Sequence, residues 1–144
     1  MRLQLNAAFR LLNSNPDAAF IALNKSRYYE RTDGLALGAG AFVSALEFST
    51  GRTAEVVGKP SRSFFHTVLS RLGASPATAV MIGDDALDDV FGAQEAGLAG
   101  ILVKTGKYRS GDETRAPTPP DAVCDSFTHA VDALIASGLL DPIE

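Results

Sequence analysis

Apolar positions set the first pattern in the chain. In LQLNAAFRLL, Leu5, Ala8, Phe9 and Leu12 recur at helical spacing and predict an opening helix. NSNPD breaks it, and AAFIALN reads as a buried strand. RYYERTDGLAL predicts an irregular hairpin turning at Asp33-Gly34. GAGAFVSALEFSTG reads as a glycine-rich entry into a helix closed by Gly51. After the short extended piece TAEVVGKP, SRSFFHTVLSRLG places Phe64, Phe65, Val68, Leu69 and Leu72 on one helical face, with Gly73 as the stop. ATAVMIG reads as a strand. ALDDVFGAQEAG reads as a helix with Leu87, Val90 and Phe91 inward and Gly97 at its end. AGILVKTG is another strand, YRSGDETRAPTPP a polar loop, DAVCD a short strand, and SFTHAVDALIASG a closing helix capped by Asp125 or Ser126.

From about Glu55 onward, strands and helices alternate with short connections, which predicts a parallel α/β layer. The first fifty or so residues follow a different order: helix, strand, hairpin, helix. A boundary is expected near Gly51–Thr53, giving two segments, 1–52 and 53–144.

Composition narrows the function classes. The 144 residues are 46% hydrophobic and 21% charged, enough for one modest domain. A formal net charge of -4 gives no electrostatic footprint for nucleic acid or an anionic membrane. No apolar run approaches the roughly 20 residues needed to span a bilayer, and the N-terminus lacks a secretory layout. Cys124 is the single cysteine, so no internal disulfide can form, and a reducing, cytoplasmic compartment is expected.

The chemistry gathers in VMIGDDALDD, Val80 to Asp89, where four aspartates sit within six residues directly after an apolar run. Ligands in open α/β sheets bind beyond the carboxyl ends of the strands, and Asp84 and Asp85 fall there. Like charges disfavour joint ionisation, while helix N-terminal amides favour it. A hard divalent cation such as Mg2+ would relieve the repulsion. The plain alternative is a helix-capping cluster. Lys59, in VVGKP at the end of another extended piece, could neutralise a phosphate or pair with an aspartate. His66, His129 and Cys124 read as structural, and Tyr28 and Tyr29 as packing residues with a lesser claim on substrate selection.

Taken together, VVGKP and VMIGDDALDDVFGAQEAGLAGILVKTGKYR resemble the haloacid dehalogenase-like (HAD) hydrolase superfamily in order, spacing and surrounding helices. NKSRYY, DGLALG and HAVD fit the same subgroup. The resemblance implies the C-terminal half of a Rossmann-like parallel sheet with helices on both faces, preceded by a partial α+β cap domain. It implies a Mg2+-dependent phosphatase chemistry through an aspartyl-phosphate, acting on phosphate monoesters or related small phosphorylated compounds. Lys59 would steady the nucleophile and the transferring phosphoryl group. Asp84 would be a direct metal ligand, with Asp85 supporting the metal shell. Asp89 would be the second acid of a GDxxxxD motif; a GDxxxD reading selects Asp88. Asn24 and Lys25 would lie in the cap, where substrate is selected.

Members of the family open with a strand ending in DxDG, whose first aspartate is the nucleophile. No DxD occurs in this sequence. The expectation is therefore a chain that starts partway through the cap, carries no nucleophile and is inactive alone. Its Ala79 to Ile82 strand would be an unpaired apolar edge, and the fold marginal or aggregation-prone. A non-catalytic product acting by homo- or hetero-association through that edge is the alternative. A phosphoacceptor receiver domain fits poorly, because its acidic pair belongs on the first strand. Dinucleotide binding through GLALGAGAF lacks the third glycine and the acidic partner.

Overall fold

The structure is a computed structural model that describes residues 2–140. Two compact units divide after Gly58. That division lies beyond the Gly51–Thr53 position read from the sequence, because Glu55 and Val56 pair with a strand of the first unit.

In the first unit, α1 (Arg2–Ser14) packs on α2 (Ala39–Thr50). Strand β1 (Ile21–Ala22) pairs in parallel with β4 (Glu55–Val56), with Ile21 opposite Glu55. The expected AAFIALN strand is thus reduced to two residues, since its ladder extends only as far as the short β4. The hairpin of β2 (Tyr28–Arg31) and β3 (Gly34–Leu37) is antiparallel and turns through Thr32 and Asp33. Helix α2 ends at Gly51, whose φ of 67° lies in the left-handed region that glycine adopts most readily. Arg52 then gathers loose carbonyls at the end of α1, donating to Leu12 at 3.0 Å and Asn15 at 3.3 Å, and to Ala18.

The second unit is a parallel three-stranded sheet in the order β5 (Val80–Gly83), β6 (Ala99–Val103), β7 (Ala122–Cys124). The central strand β6 is buried from Gly100 to Val103, as its unbroken apolar sequence predicts for a strand covered on both faces. Alternate residues feed opposite layers. Met81 packs with Phe65 of α3 (Arg62–Leu72) and with Ala93 of α4 (Gly92–Glu95). Ile82, Ile101 and Val103 face Ala130 of α5 (Phe127–Ala136) on the other side. Helices therefore cover both faces, as expected. Ser126 caps α5, accepting from the His129 N–H at 3.2 Å.

Two details depart from the sequence reading. ALDDVFGAQEAG is not one regular helix: it opens as a π-helix, Ala86–Phe91, before α4. The Asp85 carbonyl accepts from both Asp89 N–H at 3.0 Å and Val90 N–H at 3.2 Å, which widens the turn. On α3, Phe65 and Leu69 are buried but Leu72 is 74% exposed. That face borders an apolar groove beside β5, whose outer edge pairs with no strand among the described residues. No helix among the described residues is long and apolar enough to cross a membrane.

Candidate active site

The register of β5 on β6, with Ile82 opposite Ile101 and Gly83 opposite Leu102, aligns the carboxyl ends of the two strands. Their exits, Asp84-Asp85 and Lys104 to Tyr108, therefore emerge side by side, where open α/β sheets hold their ligands.

Asp89 is the deepest of the four aspartates, 4% exposed. Its Oδ1 accepts from Lys59 Nζ at 2.5 Å, and its Oδ2 from the Asp85 backbone N–H at 3.2 Å. The fold reserves the space: a Cβ at Gly83 would lie 2.4 Å from Asp89 Oδ2. The Lys59–Pro60 peptide is cis. Lys59 thus does pair with an aspartate.

Asp85 caps the π-helix, accepting from the Leu87 N–H at 3.0 Å and the Asp88 N–H at 2.9 Å through one oxygen. Its other oxygen pairs with the Lys107 ammonium. Burial pushes the Asp85 carboxyl up, but the Asp88 N–H and Lys107 outweigh it and hold the group below the usual aspartate range. Helix capping accordingly explains part of Asp85 and one oxygen of Asp89, whose Oδ2 accepts the N-cap N–H, but not the Lys59 contact of its Oδ1. Asp84 accepts the Lys107 backbone N–H at 2.7 Å. The residue before that lysine has φ +46°, and a Cβ there would sit 2.1 Å from Asp84 Oδ2, so only glycine suits position 106. Asp88 behaves differently from its neighbours. Burial first, then the Asp85 charge, push its carboxyl up to about 6.

Lys107 and Gly106 are the site residues that the sequence reading did not select. The available signal was a second Gly-Lys pair following a strand, like Gly58-Lys59. Asn24 and Lys25 belong to the first unit. Asn24 Oδ1 accepts from the Ser26 N–H at 3.2 Å and the Ser26 hydroxyl at 2.9 Å, and Lys25 pairs with Glu47 at 2.6 Å.

The donor set is all oxygen, which suits a hard cation. Among the described residues, no group of three or more His, Cys, Asp or Glu side chains is placed to hold a metal ion. Mg2+ asks for less, since it is commonly held by one or two carboxylates with water and a substrate phosphate filling the remaining positions. Asp84 and its neighbours fit that limited role.

The HAD-hydrolase-like family model matches residues 56–130, just over half of the chain, including Lys59 and all four aspartates. The chain belongs to the HAD-like hydrolase family. It is 56% identical over 131 residues to human haloacid dehalogenase-like hydrolase domain-containing protein 2, covering 91% of this chain and 50% of that protein. Among solved structures, it matches a 4-nitrophenylphosphatase from Thermotoga maritima with a TM-score of 0.81 and 29% identity, covering 93% of this chain and 51% of that one. It also matches a glycerol phosphate phosphatase from Mycobacterium tuberculosis in complex with magnesium, with a TM-score of 0.70, 28% identity and coverage of 83% and 36%. The chain spans about half the length of the curated HAD-like relatives it matches.

Proposed function

We propose that this HAD-like chain supplies the cation- and phosphoryl-binding part of a Mg2+-dependent phosphatase site. The observation that carries the reading is the pairing of Lys59 with the buried Asp89, tied through the Asp85 N–H to the strand exit that bears Asp84. A lysine held at a strand end beside several carboxylates can steady a transferring phosphoryl group, because such transfer depends on positioning and charge. In this reading Asp84 ligates Mg2+, which would stabilise charge on the phosphoryl oxygens. Asp85 fixes the turn behind Asp84, and Asp89 rather than Asp88 is the second acid, since Asp89 alone holds Lys59. Residues 1–58 act as a cap-like unit in which Asn24 and Lys25 bear on substrate choice.

The same reading denies the chain a covalent step of its own. Covalent transfer needs an activated nucleophile, and the DxD motif that supplies it in the aspartyl-phosphate route does not occur in the sequence. The test is p-nitrophenyl phosphate turnover by the monodisperse chain, with and without Mg2+, alongside Mn2+ binding followed by electron paramagnetic resonance. The expected result is metal binding that Asp84→Asn abolishes, without turnover. Robust turnover lost in Asp84→Asn would overturn the absence of a nucleophile. Absence of metal binding would overturn the site itself.

One observation favours association as a second reading. The outer edge of β5 is unpaired among the described residues, and Val80 on it is 37% exposed. Unpaired edges recruit further strands. A mass that rises with concentration in light scattering supports this reading, and a strictly monomeric chain refutes it.

A further inference from the structure

Lys107 touches both aspartates at the exit of β5. Its backbone N–H holds Asp84, and its ammonium holds Asp85. The two side chains of the ion pair are shielded, 18% exposed for Lys107 and 19% for Asp85. The lysine is also clamped from its C-terminal side. Tyr108 packs on Ala86, Val90 and Leu102, and its hydroxyl donates to Glu113 at 2.9 Å. The Arg109 N–H donates to the buried Asp112 at 2.8 Å. An ammonium fixed in this way stands beside Asp84, where a divalent cation held by that carboxylate would bring more positive charge.

Resting on the metal reading above, we infer that Lys107 is the resident counter-ion of the Asp84–Asp85 pair: it neutralises Asp85 while no metal is bound and weakens divalent-cation binding by like-charge repulsion. Two roles of the residue then separate. The backbone N–H orients Asp84 and survives side-chain replacement. The ammonium opposes the metal and does not. A merely structural lysine makes the contrary prediction, because its loss would loosen the loop and weaken metal binding.

The experiment measures Mn2+ binding to the full chain by the loss of the free-ion paramagnetic signal. It compares the natural protein with Lys107→Met, Lys107→Arg and Asp84→Asn. Lys107→Met is expected to bind Mn2+ on the order of tenfold tighter, the effect of one unit charge on a divalent ion at about 6 Å in a water-like dielectric. Lys107→Arg, which keeps the charge, is expected to bind like the natural protein. Without metal, Lys107→Met is expected to unfold at lower urea, and saturating Mn2+ to close that gap. Equal or weaker binding by a folded Lys107→Met, with Asp84→Asn abolishing binding to the natural protein, overturns the counter-ion role and leaves the site reading standing. Absence of Mn2+ binding by both the natural protein and Lys107→Met overturns both. Should Lys107→Met fail to fold, Lys107→Gln carries the same expectation and the same refutation.

Discussion

Replacing Lys59 by methionine would leave the Asp89 carboxylate buried without its cation. Breaking a buried ion pair from one side costs about 3–5 kcal/mol, whereas exposed pairs are worth under about 1 kcal/mol. This pair is asymmetric: the Asp89 side chain is 6% exposed and the Lys59 side chain 39%. Lys59→Met should therefore cost about 2 kcal/mol, between those limits. Asp89→Asn removes the charge but keeps an oxygen for the Asp85 N–H, and about 1 kcal/mol is expected. The double variant contains no stranded charge, so it should be more stable than Lys59→Met alone.

Urea denaturation followed by circular dichroism reads all four proteins of this cycle. With a slope of about 1–3 kcal/mol per molar, Lys59→Met should lower the midpoint by roughly 1 M. A coupling of about 1 kcal/mol or more is expected. Additivity within about 0.5 kcal/mol would show that Lys59 and Asp89 do not depend on one another. The phosphoryl-positioning role would then lose its structural basis.

Two further predictions concern the same loops. Asp88 titrates near 6, above its value in the unfolded chain, so the folded state holds this proton more tightly. Its contribution to stability is complete below about pH 4 and is lost as pH rises through 6; Asp88→Asn should flatten that decline and gain about 1 kcal/mol at pH 7 after solvent screening. A carboxyl resonance for Asp88 with its midpoint near 4 would refute the assignment. Gly106→Ala forces a β-carbon against Asp84 in a left-handed backbone, so a loss of about 1–2 kcal/mol and weaker Mn2+ binding are expected; unchanged binding would detach Asp84 from the metal.

The parallel sheet was legible because its central strand is apolar without interruption and a helical segment stopped at Gly97 separates it from β5. The acidic cluster and Lys59 were legible as charge placed at strand ends. What one-dimensional spacing could not reveal was the division of labour among the aspartates. Asp88 and Asp89 are adjacent in sequence, yet the π-helical turn sends only Asp89 inward to Lys59. Helical periodicity assumes 3.6 residues per turn and misassigns faces where the turn widens. Lys107 was missed because its role depends on the β5–β6 register, a long-range pairing. The exposed face of α3 was unforeseen for a similar reason: periodicity identifies an apolar stripe but not what covers it.

Charge balance links the two lysines to the metal reading. Four carboxylates, Asp84, Asp85, Asp88 and Asp89, face two ammonium groups, Lys59 and Lys107. At pH 7 these six side chains together carry about two net negative charges, since Asp88 is largely ionised above its value of about 6. Were helix capping the whole purpose of the cluster, Asp85 and Asp89 would serve, and the two further carboxylates, Asp84 and Asp88, would only add repulsion. A divalent cation matches the residual charge and can share ligands with a substrate phosphate. The lysines divide the remaining charge between depth and rim. Lys59 neutralises the buried Asp89, where no water could, and so fixes the floor of the site. Lys107 pairs with Asp85, which is less deeply buried than Asp89, and there a metal ion can compete with it. On this view the cluster holds its shape without metal and keeps enough negative charge to recruit one.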